Sequence, residues 1–374
     1  MYTRSVILRE SGLPKPYSQS RPLAIEKVEL TPPGPMEVLI KIKAAGVCHS
    51  DLSAINGDRP RPLPVALGHE ASGVVEELGP GVDNVKKGDH VVMSFLPVCG
   101  HCSYCAEGRA SLCEPGYMAN AAGTLLSGSK HIRLNGYEIN HHSGVSAFSE
   151  YAVVSANSVV KITKDVDLVQ AALFGCAVVT GVGAIMNTCA VKPGQSVAVI
   201  GLGGVGLAAV LGAVASGAGE IVAIDLVPEK LALAEKLGAT KTFLANDPDI
   251  VKQVRAATSG GVQFAVEMAG SARAFELAYN ITRRGGMTTT AGLANVNSKF
   301  EISPLPLVGE ERTIKGSYMG SSVPSRDIPR YIDLFLKGRL PVDRLLSSTG
   351  SLEDINEAFD RLDRAEVIRH LVLP

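Results

Sequence analysis

The sequence has no tryptophan and no surplus of either charge. Its 374 residues include 36 Lys and Arg against 37 Asp and Glu, which gives a formal net charge of −1. This balance argues against a broad surface for nucleic acid or anionic membranes, so neither is expected as a partner. A charged fraction of 20% beside 46% hydrophobic residues is typical of a globular chain. The length predicts about two domains.

The N-terminus also lacks a long apolar run. Only three apolar residues, Val6 to Leu8, lie between Arg4 and Arg9, too few for the apolar region of a signal peptide. The seven cysteines are an odd number, so they cannot all form internal disulfides, and the chain is far longer than disulfide-stapled secreted scaffolds. We therefore expect a cytoplasmic protein whose thiols bind metal or take part in catalysis.

Two uncharged stretches, 168–191 and 197–219, are long enough for membrane spans. The second contains seven glycines in a phosphate-loop pattern, and only five residues, 192–196, separate the two stretches. Buried strands and helices explain both better than a membrane does.

The apolar pattern changes along the chain. Up to about Val160, short alternating runs bounded by Gly, Pro and Asp predict β-strands, as in 37–43, 71–76 and 90–93. After Ala171, apolar strands alternate with helices, which predicts right-handed βαβ units and a doubly wound parallel sheet. The predicted fold class is therefore α/β, with a mostly β first domain. The predicted helices are 205–216, 228–237, 328–337 and 352–362, and a last short strand is predicted near 367–373.

A glycine-rich loop follows the strand 196–200 and opens the first of these helices. It fits the dinucleotide-binding pattern G-x-G-x-x-G, and Asp225 follows 19 residues later, after the next apolar strand. The glycines let a pyrophosphate approach the backbone at the helix N-terminus. Asp225 would accept hydrogen bonds from the ribose and repel a 2′-phosphate, which favours NAD over NADP. The predicted contacts in the loop are Gly201, Gly203, Gly204, Val205 and Gly206.

Four cysteines, Cys99, Cys102, Cys105 and Cys113, have the spacing C-x2-C-x2-C-x7-C. Four thiols so close together are typical of a tetrahedral structural zinc site. An iron–sulfur cluster is the alternative, although bacterial ferredoxins have a shorter last gap followed by proline. Cys48, His69 and Cys176 are scattered, so spacing says nothing of them, and buried small residues are the ordinary interpretation of Cys176 and Cys189.

In combination these residues resemble the zinc-dependent alcohol dehydrogenases of the medium-chain dehydrogenase/reductase superfamily, in the longer liver-type and glutathione-dependent formaldehyde dehydrogenase branch. The family signature G-H-E-x2-G-x5-G-x2-V is met by Gly68, His69, Glu70, Gly73, Gly79 and Val82. The resemblance covers the whole chain. It implies a GroES-like catalytic domain at 1–177 with a zinc lobe at about 95–115, a Rossmann domain at 178–318, and a return to the catalytic domain at 319–374.

The resemblance implies two zinc ions and one NAD per chain. Cys48, His69 and Cys176 would bind the catalytic zinc, with Glu70 behind the metal and Asp51 bonded to His69. Ser50 would carry the substrate proton, and His49 would lie near the pyrophosphate unless it is only a solvated loop residue. Where many members have a relay histidine this chain has Ser53, so water would be the final acceptor. The remaining cofactor contacts that the resemblance implies are Thr180, Lys230 and Arg369.

The implied activity is reversible oxidation of a primary or secondary alcohol, with a small-molecule alcohol or aldehyde as partner. Phe95, Leu293 and Tyr318 would line the substrate pocket, although Phe95 is equally consistent with ordinary core. The small, polar stretch 141–144 suggests room for a bulky or aromatic alcohol. S-(hydroxymethyl)glutathione dehydrogenase is the alternative, disfavoured by Tyr117 at a position where that branch has arginine. A non-catalytic nucleotide- or zinc-binding protein is a third.

The resemblance also implies an assembly. The stretch 299–318 looks like the edge strands through which such enzymes pair. A homodimer is expected, with a homotetramer as the alternative.

Overall fold

A computed structural model describes residues 1–374. The alternating apolar runs form strands, as expected for residues that bury one face. The strands are β1 (Tyr2–Leu8), β2 (Leu23–Leu30), β3 (Glu37–Val47), β4 (Val65–Ala66), β5 (Ala71–Leu78), β6 (His90–Met93), β7 (Ile132–Leu134), β8 (Tyr137–His141), β9 (Tyr151–Ser155), β10 (Val159–Lys161), β11 (Ser196–Ile200), β12 (Glu220–Asp225), β13 (Lys241–Leu244), β14 (Val262–Glu267), β15 (Thr282–Thr290), β16 (Thr313–Gly316), β17 (Leu346–Gly350) and β18 (Arg369–Val372).

The helices are short in the first half of the chain and longer in the second. They are α1 (Tyr17–Ser20), α2 (His49–Ile55), α3 (Ser103–Ala106), α4 (Glu114–Ala122), α5 (Leu168–Ala171), α6 (Ala177–Gly183), α7 (Gly204–Ala215), α8 (Pro228–Lys236), α9 (Ile250–Ala257), α10 (Ala272–Ile281), α11 (Pro304–Gly309), α12 (Pro324–Leu336) and α13 (Ile355–Asp363).

The chain divides into two compact units. The first contains Met1–Cys176, Val323–Lys337 and Asp343–Pro374, and the second contains Ala177–Ser322 and Gly338–Val342. No single helix has both the length and the apolar composition of a membrane span. Two consecutive helical segments, Leu168–Gly175 and Ala177–Thr188, reach that length and composition only when they are counted together.

The first unit is mostly β, as the sequence predicts. Strands β1, β2, β7, β8 and β4 close a small barrel. A seven-stranded sheet has the order β10-β6-β5-β3-β18-β17, with β9 also paired to β3. Its core is apolar and includes Phe148 and Phe359, whose rings meet edge to face at 6.1 Å between centroids. Strand β3 runs through this core and ends one residue before Cys48, so the sheet fixes where the first candidate metal ligand lies.

The second unit is a parallel six-stranded sheet in the order β13-β12-β11-β14-β15-β16. All five strand pairs are parallel, which confirms the predicted doubly wound sheet. The strand order reverses at β11 and β14, and in such sheets ligands bind at the carboxyl ends of the strands at this switch point. Helix α7 begins there, directly after β11.

Candidate active site and cofactor site

Two turns place the first metal-ligand candidates. Cys48 follows β3 and is the N-cap residue of α2, so Asp51 lies buried in the first turn of that helix. Gly68 has φ of +94°, and a Cβ there would overlap the backbone nitrogen of Phe148. Because only glycine fits this left-handed turn, the chain enters His69 in one fixed direction.

The structure brings together the scattered residues that the resemblance implies as catalytic ligands. One ligand atom from each of Cys48, His69, Glu70 and Cys176 lies within 4.8 Å of every other, and all four residues are buried. His69 Nε2 is buried without a hydrogen-bond partner. Two sulfurs and one imidazole nitrogen are donors that suit zinc, so the residues fit the implied ion.

Asp51 supports His69 from behind the cluster. Its Oδ2 lies 2.9 Å from His69 Nδ1, and its Oδ1 accepts the Gly68 backbone N–H at 3.1 Å. Burial raises the pKa of this carboxyl, but His69 and His142 outweigh burial and hold the pKa well below its usual range. The ionised carboxylate keeps the His69 proton on Nδ1, which leaves Nε2 for a metal ion.

The ionisation of Cys48 and His69 affects how the cluster binds a cation. The Cys176 thiol, with a smaller contribution from His69, keeps the pKa of Cys48 well below its usual range. Burial lowers the pKa of His69, but Asp51 and Cys48 outweigh burial and raise it to about 10. A bound metal replaces the proton on His69, so we expect metal binding to strengthen as the pH rises.

Glu70 and Arg369 form a buried ion pair beside the cluster, with Arg369 Nη2 donating to Glu70 Oε1. A Cβ on Gly46 would overlap both side chains, so glycine on β3 makes room for the pair. Burial raises the pKa of Glu70 to about 7, although Arg369 opposes this. The predicted contact of Arg369 with a pyrophosphate stays a prediction.

Two rings pack edge-on against the His69 imidazole. The Phe95 ring lies 5.9 Å away at 83°, and the His142 ring lies 5.5 Å away at 80°. Phe95 is therefore beside the cluster. Sequence reasoning missed His142, whose Nδ1 lies 3.0 Å from Asp51 Oδ1. The stretch 141–144 showed only as small and polar, and nothing in its spacing pointed to Asp51.

The four-cysteine lobe has the geometry of a second metal site. Ligand atoms of Cys99, Cys102, Cys105 and Cys113 lie within 4.8 Å of one another. The Sγ atom of Cys105 is 3.4 Å from that of Cys102 and 3.9 Å from that of Cys99. Tetrahedral zinc with sulfur at about 2.3 Å requires sulfurs about 3.8 Å apart. Backbone N–H groups of Cys99 and Cys102 already donate to sulfurs of the lobe.

The glycine loop of the second unit separates structural from functional glycines. A Cβ on Gly206 would overlap the Gly201 carbonyl oxygen, and one on Gly201 would come within 2.7 Å of the Ala269 nitrogen. A Cβ on Gly203 would meet no protein atom within 4 Å. Gly203 is the N-cap residue of α7. The open space beside it at a helix N-terminus fits a phosphate group, as the dinucleotide pattern requires.

Asp225 ends β12 and holds the same loop. Its Oδ2 accepts the Leu202 N–H at 2.6 Å, and its Oδ1 accepts the Val227 N–H at 3.0 Å. Lys230, in the first turns of α8, is half-buried. Their contacts with a ribose stay predictions.

The other predicted residues are placed as follows. Ser50 is half-buried in the first turn of α2, and Ser53 Oγ donates to the His49 carbonyl at 2.8 Å. Thr180 is buried on α6. Leu293 and Tyr318 belong to the second unit and are exposed, and their assignment to a substrate pocket stays a prediction.

Comparison with known proteins identifies the family. Residues 34–164 match the family "Alcohol dehydrogenase GroES-like domain", and residues 204–337 match "Zinc-binding dehydrogenase". Alcohol dehydrogenase class-3 of Drosophila melanogaster is 37% identical over 95% of each chain. S-(hydroxymethyl)glutathione dehydrogenase of Escherichia coli is 37% identical over 95% of this chain and 97% of its own. The chain belongs to the zinc-dependent alcohol dehydrogenase family.

Solved structures agree with this assignment. An alcohol dehydrogenase zinc-binding domain protein from Burkholderia ambifaria has a TM-score of 0.94 and 34% identity, over 100% of this chain and 99% of its own. Benzyl alcohol dehydrogenase from Acinetobacter calcoaceticus has a TM-score of 0.93 and 30% identity over the same shares. A zinc-binding dehydrogenase from Sinorhizobium meliloti, bound to NADP, has a TM-score of 0.80 and 26% identity over 100% of each chain. The predicted α/β fold with GroES-like and Rossmann parts is confirmed.

Proposed function

We propose that this protein oxidises a primary or secondary alcohol reversibly to an aldehyde or ketone and transfers the hydride to NAD. The observation that carries this is the buried cluster of Cys48, His69 and Cys176, backed by the carboxylate of Asp51. Glu70, the fourth member of the cluster, is bonded to Arg369, so the cluster offers three ligands and leaves one position open, as a catalytic zinc site does, whereas a structural site needs four. The complete four-cysteine lobe already provides the structural site, so a third function, nucleotide or zinc binding without catalysis, leaves this cluster unexplained.

Cys48, His69 and Cys176 would hold the zinc, which would supply a Lewis acid, and the glycine loop would hold NAD, which would supply the hydride acceptor. Asp51 fixes the proton of His69 on Nδ1 and keeps Nε2 aimed at the cluster. Ser50 Oγ would accept the alcohol proton while its own hydroxyl proton passes to water. The Ser53 hydroxyl proton is committed to the His49 carbonyl, which supports water as the final acceptor.

The preference for NAD rests on Asp225. Its carboxylate is held by two backbone N–H groups at the end of β12, where it would repel the 2′-phosphate of NADP. One structural neighbour carries NADP, so the preference needs its own measurement. We expect kcat/KM in the wild type to be higher with NAD than with NADP. In Asp225→Ser the ratio of these two kcat/KM values should be smaller.

The second candidate is S-(hydroxymethyl)glutathione dehydrogenase, the activity named for one of the relatives. That substrate carries carboxylates, and the position that would hold an arginine for them is Tyr117, which is 64% exposed on α4. The substrate panel below decides between the two.

The deciding experiment is NADH formation by zinc-replete enzyme with ethanol, benzyl alcohol, cinnamyl alcohol, and formaldehyde plus glutathione. Turnover of free alcohols supports the main proposal, and turnover of the glutathione adduct alone supports the second. Elemental analysis should find two zinc ions per chain. Cys176→Ser should lose one zinc ion and all activity. Cys189→Ser should keep both zinc ions and the activity. A zinc-replete protein that turns over none of these substrates contradicts both proposals.

We also propose a cytoplasmic homodimer. The seven cysteines are all free, as a reducing compartment would keep them. Strand β16 ends the parallel sheet, so it offers an unpaired edge to a second copy.

A further inference from the structure

We propose that His142 is a positioning residue for the catalytic zinc site. It holds the Asp51 carboxylate so that Asp51 in turn orients His69 toward the metal. This inference rests on the proposed function only in taking His69 as a zinc ligand. Its test measures metal binding and does not depend on turnover.

Each oxygen of Asp51 serves a different imidazole. Oδ2 lies 2.9 Å from His69 Nδ1, and Oδ1 lies 3.0 Å from His142 Nδ1. The Gly68 N–H, 3.1 Å from Oδ1, is the third group on this carboxylate. A carboxylate bonded through one oxygen can still rotate about its own bond. Contacts on both oxygens fix its plane, and with it the direction in which His69 presents Nε2.

The His142 backbone is itself held firmly. Its N–H lies 3.0 Å from Ser146 Oγ and 3.2 Å from the Ala66 carbonyl oxygen. The turn that follows has left-handed backbone at Ser143 (φ +54°), Gly144 (φ +63°) and Ser146 (φ +50°). Left-handed conformations are unfavourable for residues other than glycine and persist where the surroundings over-determine them. This turn therefore delivers the His142 ring to one place.

The choice of histidine at this position is explained by Asp51 and not by packing. The His142 side chain is 1% exposed, and apart from the 3.0 Å contact of Nδ1 with Asp51 Oδ1 neither ring nitrogen has a hydrogen-bond partner. An aromatic ring without nitrogen would fill the same space and leave no buried polar atom unsatisfied. The contact of Nδ1 with Asp51 is therefore the reason for a histidine at this position.

The test compares His142→Phe with His142→Asn. Phenylalanine keeps a ring but removes the donor, whereas the asparagine amide places a nitrogen where Nδ1 stood. We expect His142→Phe to weaken catalytic-site zinc about 10- to 100-fold in competition with a chromogenic chelator, the usual effect of losing such a partner. His142→Asn should stay within about threefold of the wild type, a rescue that a packing role would not give. Zinc in the four-cysteine lobe should be unchanged in both, as an internal control.

A second readout is cobalt substitution at the catalytic site. The visible absorption bands of cobalt should shift in His142→Phe and return in His142→Asn, because they report ligand geometry. If His142→Phe does not fold, judged by circular dichroism and lobe zinc, His142→Leu replaces it in the same comparison.

Wild-type metal affinity and cobalt spectrum in the folded Phe or Leu variant would overturn the inference. Equal weakening in the Asn variant would also overturn it. Wild-type protein that binds zinc tightly but turns over no alcohol would instead contradict the proposed function and leave this inference standing.

Discussion

The predicted role of Gly203 in phosphate binding can be tested separately from folding, because neither its backbone conformation nor its protein neighbours require glycine. Its φ of −74° is open to any residue, and a Cβ there meets no protein atom within 4 Å. We expect Gly203→Ala to fold with unchanged stability and to bind NAD about tenfold more weakly, on the order of 1.4 kcal/mol, because the methyl group occupies phosphate space. Fluorescence titration with NADH and thermal unfolding without cofactor measure the two effects.

Gly206→Ala is the matched comparison for this prediction. Its Cβ would overlap the Gly201 carbonyl oxygen, so it should lower the melting temperature even without cofactor. If Gly203→Ala binds NADH as the wild type does, the phosphates do not lie against this glycine.

His141 makes stability depend on pH. Burial, together with the charge of His131, lowers the pKa of His141 to about 3, whereas in the unfolded chain it is about 6.5. Between these pKa values the His141 imidazole is protonated in the unfolded state and neutral in the folded state. The free energy of unfolding therefore falls as the pH falls. We expect His141→Gln to remove up to about 1.4 kcal/mol per pH unit of this slope below about pH 6.5. Urea unfolding from pH 5 to 7.5 measures it.

The control for His141→Gln is Tyr137→Phe, which alters no imidazole and lies at a 77% exposed position on the same strand, β8. It should keep the wild-type slope. Identical slopes in all three proteins would mean that His141 takes up its proton in the folded state.

At the scale of single residues, motif and resemblance predicted those that have a fixed spacing or signature. The glycine loop and the four-cysteine lobe are local patterns, and the structure shows open space beside Gly203 and four sulfur atoms close enough to bind one metal ion. His142 and the Glu70–Arg369 pair could not be predicted in this way. The chain separates Asp51 from His142 by 91 residues and Glu70 from Arg369 by 299 residues. No short-range sequence pattern predicts such a contact.

Among the structural elements, the turn before His69 gives the clearest test. Gly68 and Gly88 both have positive φ, +94° and +82°, but only a Cβ on Gly68 would meet the backbone. We expect Gly88→Ala to cost about 1 kcal/mol for its left-handed conformation. Gly68→Ala should cost several times as much, because Phe148 must move as well.

The metal content separates a local from a general effect. Gly68→Ala displaces His69, so the purified protein should contain about one zinc, held in the four-cysteine lobe, whereas Gly88→Ala should contain two. Equal unfolding free energies for the two variants would show that the Phe148 contact relaxes at no cost.

Sequence periodicity located the elements better than their ends. Helix α7 is Gly204–Ala215 where 205–216 was expected, but α12 begins at Pro324 and not at Ile328. Pro329 is the sixth residue of α12, where it cannot donate the usual i→i−4 backbone hydrogen bond, so an internal proline predicts a helix boundary in sequence. The predicted helix 352–362 begins as a 3₁₀ turn at Leu352–Asp354 before α13.

At the scale of the whole molecule, the sequence predicted a mostly β domain followed by an α/β domain. It did not predict which distant residues lie close together. Cys48, His69 and Cys176 have no informative spacing, and family resemblance alone joined them before the structure did. Their meeting depends on β3, on the turn at Gly68 and on the position of Cys176, the last residue of the first unit's first segment. Long-range packing sets this geometry, and a local pattern cannot encode it.

The exposed end of the parallel sheet leads to a prediction for the assembly. Strand β16 has an open edge, and Leu305 and Val308 on α11 are 79% and 76% exposed. Exposed apolar side chains and an unpaired strand each favour contact with another chain. We expect the wild type to sediment at twice the 39.1 kDa of one chain. Leu305→Asp with Val308→Asp should shift it to the monomer, whereas Tyr137→Asp, at a 77% exposed site of the first unit, should not. A dimer that survives the double substitution pairs through another face, and a monomeric wild type rules the homodimer out.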